Sequence, residues 1–195
     1  MGQIVLINDV HSQFDDTGFL VGCRDAQLTD EGTSQSFIIA QYLMKRFCPK
    51  NIITSDAVRL KQIIHHLRIG IKGATFRTTD ALRERNFGVL AGMTPNLNSE
   101  IFTASRICAE QGESIAECRS RMLYAINKYD EAYPNDLNLF ISHPYVCQIA
   151  ENVLVGRDVT TLEGAWFKKG HMAVFDTLPH FELKESLNIL ETNDE

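Results

Sequence analysis

Four short clusters hold the residues best suited to chemistry. The first is Asn8-Asp9-Val10-His11-Ser12, the second Ser55-Asp56 with Arg59, the third Glu84 with Phe87-Gly88, and the fourth Ser142-His143-Pro144. Asp9 and Glu84 are carboxylates that can move a proton or attack as nucleophiles. His143 can carry a proton near neutral pH, and Arg59 offers a planar fork for an anion. Asp9 has two readings: an ion pair with Arg59 or His143, or a carboxylate that itself does chemistry. Asp9, His11, Glu84 and His143 are also metal-ligand types, but their separation has no ligand spacing and no metal is expected. His65 and His66 are adjacent on a helix and cannot share a ligand face.

Each cluster follows a segment that reads as a strand. Ile4 to Ile7 is an unbroken apolar run, as in a parallel strand buried on both faces. Asn51 to Thr54 reads as a second strand, Thr75 to Thr78 as a short third and Leu137 to Ile141 as another buried one, and Gly164 to Lys168 and His171 to Asp176 read as final strands. Helices alternate with them. One starts at Asp30 behind a Thr29 cap, presents Phe37, Ala40, Gln41 and Met44 with Ile38 and Tyr42 as its apolar face, and ends near Phe47 before Pro49. A second carries Leu60, Ile63, Ile64 and Leu67, with Ser55 as its cap and Gly70 as its end. A third opens at the capping box Ser114 to Glu117 and reaches about Tyr133. Pro144 suits the first turn of a fourth. Residues 84–112 have little periodicity and read as a loop-rich cap excursion with a short helix. The alternation predicts one α/β domain over residues 1–195, a doubly wound, mostly parallel sheet flanked by helices, with ligands expected beyond the carboxyl ends of the strands.

The order and spacing of these segments resemble the histidine phosphatase superfamily, the phosphoglycerate mutase-like proteins. Gly22-Cys-Arg-Asp25, Leu28-Thr29, Gly32 and Gln35 match its G-x-x-D-x-x-L-T-x-x-G-x-x-Q segment. Ser55-Asp56-x-x-Arg59-x-x-Gln62 matches its S-D-x-x-R-x-x-Q segment. Leu82-x-Glu84-x-x-Phe87-Gly88-x-x-x-Gly92 matches L-x-E-x-x-F-G-x-x-x-G. Gly112-Glu113-Ser114 with Arg121 and Ile141-Ser142-His143 match two later motifs. The resemblance implies a three-layer α/β/α fold. It implies catalytic positions at Asp9, Glu84 and His143, and phosphate or ligand binding at Asn8, Asp15, Arg59 and His143.

The departure lies in the motif after the first strand. Where the family has R-H-G, with histidine as nucleophile and arginine on the phosphoryl oxygens, this chain has Asn8-Asp9-Val10. A positive charge is lost and a negative one gained. At an effective dielectric near 20, two unit charges ~4 Å apart interact by about 4 kcal/mol, so the change opposes phosphate binding by several kcal/mol. Val10 adds a branched side chain where the backbone nears the ligand, and Pro144 removes an amide at a helix start. The reading is a catalytically inactive pseudophosphatase that binds an anionic ligand or a protein partner. The alternative is a divergent phosphatase or phosphomutase acting on a small phosphorylated metabolite through Asp9 and a divalent metal.

Composition bounds the rest. Apolar residues make up 44% and charged residues 23%, as in a globular domain. The net charge of −6 lacks the footprint of a general nucleic-acid binder. Five cysteines, widely spaced and without C-x-x-C, predict neither a disulfide framework nor a zinc knuckle, and point to a reducing compartment. The N-terminal apolar run is too short for a signal peptide, and no stretch nears the ~20 apolar residues of a membrane helix. The expectation is a cytoplasmic protein without a cofactor, without nucleic-acid or membrane partners, and with homodimerisation allowed by the resemblance.

Overall fold

A computed structural model describes residues 2–94, 101, 107–157 and 168–192. Six strands form one sheet: β1 (Gln3–Asn8), β2 (Asn51–Ser55), β3 (Thr75–Thr79), β4 (Leu137–Ser142), β5 (His171–Asp176) and β6 (Glu182–Asn188). Their order is β3-β2-β4-β1-β5-β6. β1 to β4 run parallel, β5 runs antiparallel to β1, and β6 runs antiparallel to β5. The carboxyl ends of β1, β2, β3 and β4 and the start of β5 therefore share one edge.

Four helices of the described residues cover the sheet: α1 (Asp30–Arg46), α2 (Val58–Gly70), α3 (Ile115–Ala132) and α4 (Pro144–Leu154). Period-two alternation in the strands divides the core in two. Val5, Ile7, Ile52, Leu139, Ile141 and Met172 pack on the α1 and α2 side. Ile4, Leu6, Ile53, Phe140, Ala173 and Phe175 pack on the α3 and α4 side. Both faces of β1 and β4 are buried, which explains their continuous apolar runs. This is the three-layer α/β/α arrangement.

The caps follow local chemistry. Thr29 accepts a hydrogen bond from the Gly32 amide, and Ser114 with Glu117 forms the full capping box. Pro144 occupies the first turn of α4.

Three expectations change. The buried face of α1 is Ser36, Ile39, Ala40 and Leu43, whereas Phe37, Ile38 and Met44 are exposed. The helix is mixed enough that two faces carry apolar residues, and Phe37 and Met44 lie at the rim of the contact with α2, Phe37 stacking on His66. Ser55 does not cap α2: the helix starts after Ala57, and the Ser55 hydroxyl faces His143 instead. Strand β6 was not expected, because its sequence Glu-Leu-Lys-Glu-Ser-Leu-Asn is mostly polar. It is an edge strand, where charged side chains are tolerated. The strand expected at Gly164 to Lys168 falls on residues 158–167, outside the described residues, apart from Lys168, which is not in a strand. Residues 95–100 and 102–106 of the cap excursion, for which a short helix is expected without stated bounds, also lie outside the described residues.

Candidate functional site

The end of β1 places Asp9 at the centre of the strand-end edge. Its side chain is fully buried, with 0% exposure. Oδ2 accepts from Nε of Arg59 at 2.7 Å and lies 3.0 Å from Nδ1 of His143. Oδ1 accepts from Nζ of Lys169 at 2.7 Å. Arg59 comes from the first turn of α2, His143 from the residue before α4, and Lys169 from the turn before β5. The backbone carbonyl of Asp9 also accepts from the Gly170 amide, at 3.1 Å.

These contacts set the charge states. Burial pushes the Asp9 carboxyl up, but the charges of Lys169 and Arg59 and the His143 hydrogen bond outweigh it and hold the group well below the ordinary carboxylate range. Burial and the Arg59 charge push His143 down to about 4, so its ring is neutral at pH 7. Both ring nitrogens are engaged: Nδ1 by Asp9 and by Nη2 of Arg59 at 2.8 Å, Nε2 by the Ser55 hydroxyl at 3.1 Å.

Glu84 sits apart from this cluster. Oε1 accepts from the Arg85 amide at 2.8 Å, and Oε2 from the Tyr145 amide at 3.4 Å. Burial, partly countered by the Arg85 amide and reinforced by the negative charge of Asp9, raises Glu84 to about 7. That value suits a proton donor or acceptor at neutral pH. Asp15 accepts from the Ser12 amide and hydroxyl through Oδ2, and its Oδ1 lies 3.1 Å from Lys169.

A cavity of about 210 Å³ opens beside the cluster. Arg59, Glu84, Asp15 and Lys169 supply polar lining, while Val21, Phe87 and Pro144 supply apolar lining. Gly22 lies on the same wall with φ +57°. A Cβ there would stand 3.1 Å from the Arg85 carbonyl oxygen and 3.1 Å from the Phe87 ring, so glycine is required on both counts.

Two anticipated ligand residues are placed away from the cavity. The Asn8 amide donates to the Lys168 carbonyl at 2.8 Å and accepts from the His171 amide at 2.9 Å, stitching β1 to the approach of β5. His143 is fully buried behind Asp9 and Arg59. His11 is a loop residue whose Nδ1 meets the Thr29 hydroxyl and whose Nε2 meets Asp16. Among the described residues no three His, Cys, Asp or Glu side chains converge to hold a metal ion.

The residue that sequence reasoning missed is Lys169. Asn8 and Asp9 carry no positive charge, but the ammonium of Lys169 stands against Asp9 and places one positive charge in the site. Its only sequence signal is the Lys168-Lys169 pair ahead of Gly170 and a buried strand, and that signal needs β5 to be antiparallel beside β1.

Solved structures share this architecture. A mycobacterial glucosyl-3-phosphoglycerate phosphatase complexed with VO3 superposes with a TM-score of 0.83 at 18% identity, covering 95% of this chain and 98% of that one. A histidine-to-alanine mutant of phosphoserine phosphatase from Entamoeba histolytica, in complex with phosphoserine, gives 0.83 at 19% identity, covering 97% and 98%. YhfR of Bacillus stearothermophilus gives 0.83 at 15% identity, covering 94% and 95%. No curated protein matches the sequence significantly. The sequence model of the histidine phosphatase superfamily (branch 1) matches residues 11–181.

The chain belongs to the histidine phosphatase superfamily. The match to the superfamily begins at His11, just past Asn8, Asp9 and Val10. No helix among the described residues is long and apolar enough to cross a membrane.

Proposed function

We propose that this protein is a non-catalytic member of the superfamily, a pseudophosphatase whose pocket binds a small anion without turning it over. One observation carries the reading. The carboxylate at the nucleophile position is fully buried, and Arg59, His143 and Lys169 hold both of its oxygens. To attack a phosphoryl group, Asp9 must leave those partners. Breaking a buried, hydrogen-bonded ion pair costs about 3–5 kcal/mol, a rate penalty of roughly 10²–10³ or more. The approaching phosphoryl oxygens carry the same sign as the attacking carboxylate, which adds to the barrier. Asp9 is thus a built-in counter-ion for Arg59 and Lys169.

Glu84 supports the opposite reading in one respect, since a carboxyl at about 7 beside the cavity can pass a proton to a leaving group. The experiment is a turnover assay with p-nitrophenyl phosphate, with and without magnesium. The expected result is no hydrolysis above buffer in either condition. Magnesium-dependent hydrolysis abolished by Asp9→Ala would establish the divergent phosphatase instead.

A further inference from the structure

The charges around the cavity define what it can hold. Arg59, Lys168 and Lys169 are its cations, and Asp9 and Asp15 are the carboxylates already bound to them. Lys168 is 77% exposed and pairs with Glu191 at the surface, a contact that exchanges readily with solvent. With Lys168 turned to the cavity, three cations face Asp9 and Asp15, and at most one positive charge is left over, since Glu84, raised to about 7, is about half ionised at neutral pH.

The hydrogen-bond inventory agrees. The Lys169 ammonium gives two protons, to Asp9 and Asp15, and keeps one. The Arg59 guanidinium gives protons to Asp9 and the Arg24 carbonyl, its Nη2 lies 2.8 Å from Nδ1 of His143, and it keeps at least two protons without a partner among the described residues. Val21, Phe87 and Pro144 give the cavity an apolar part of its lining. Pro144 has no amide proton, and the next amide, of Tyr145, points to Glu84. The first two positions of α4 therefore offer no free amide to a second set of anionic oxygens.

We infer that the cavity takes a small organic monocarboxylate, its head on Lys169 and Arg59 and its apolar body on Phe87, Val21 and Pro144, in preference to a phosphate monoester. The inference rests on the non-catalytic reading above. A phosphate monoester carries close to two negative charges at neutral pH and exceeds the single charge the site can offset. A carboxylate carries one, in a planar pair of acceptors that suits a guanidinium beside an ammonium.

The test is calorimetric titration of the full chain at neutral pH with benzoate and with phenyl phosphate, which share a ring and differ in head group. Benzoate is expected to bind tighter by roughly tenfold or more. Lys168→Ala, at an exposed position that leaves folding intact, is expected to weaken benzoate roughly fivefold. Phenyl phosphate binding as tightly as benzoate, or no benzoate binding at all, overturns the inference and leaves the non-catalytic reading standing. Release of phenol from phenyl phosphate overturns the non-catalytic reading itself.

Discussion

Asp9 and Lys169, 160 positions apart in the chain, meet at 2.7 Å between Oδ1 and Nζ. Antiparallel pairing of β1 with β5 makes this contact, since Ile7 faces Met172 across the strands. A buried carboxylate at the end of β1 is thus held by a lysine from a distant turn.

That contact predicts coupling between the two positions. Asp9→Asn keeps the shape but leaves Arg59 without a counter-charge and Lys169 with Asp15 alone, and is expected to cost about 3–5 kcal/mol of stability. Lys169→Met in the same background is expected to recover about 1–3 kcal/mol, because it removes one of the two cations around the lost carboxylate. Urea denaturation of both single variants and the double variant measures the coupling, and strictly additive losses would contradict the ion-pair account.

The pH dependence follows from two groups that oppose each other. Glu84 is raised from 4.5 to about 7, so its contribution to stability is full below 4.5 and is lost as pH rises through 7. His143 is lowered from 6.5 to about 4, so its contribution is full above 6.5 and is lost as pH falls towards 4. Between those limits the two nearly cancel, and the native protein is expected to show a flat profile. In Glu84→Gln the contribution opposing His143 is removed, and stability should fall by about 3 kcal/mol from pH ~7 to pH ~4. A variant profile as flat as that of the native protein would show that these groups do not titrate as assigned.

Asn8 is predicted to act through the backbone. Asn8→Ala leaves the Lys168 carbonyl and the His171 amide without their partner, at a cost on the order of 2 kcal/mol. Because Lys169 lies between those two residues, the variant should also loosen the Lys169 contact to Asp9. Hydrogen exchange at the amides of residues 169–171 should then accelerate relative to the native chain. Unchanged exchange there would mean that Asn8 does not set the position of Lys169.

Much of the fold is legible from the sequence because its causes are local. Continuous apolar runs mark β1 and β4, the Ser114–Glu117 pair marks the start of α3, and Pro144 marks the start of α4. The apolar face of α1 is not legible, because Phe37 and Met44 compete with Ile39 and Leu43 at helical spacing and only the packing partner decides. Strand β6 is hidden by the charged residues its edge position permits. Within the site, Asp9, Arg59, Glu84 and His143 are readable as strand-end and helix-start residues in motif order. Lys169 is not, since its role depends on the direction of a strand that follows it, and direction leaves no mark in composition.

The central claim is that Asp9 serves as a counter-ion and never carries a phosphoryl group. The most direct measurement is acid-quenched intact-mass analysis of the full chain after incubation with acetyl phosphate and with p-nitrophenyl phosphate, each with magnesium present. The account predicts an unchanged mass in every case. A chain heavier by one phosphoryl group, with the adduct mapped to Asp9 and absent from Asp9→Ala, would contradict it.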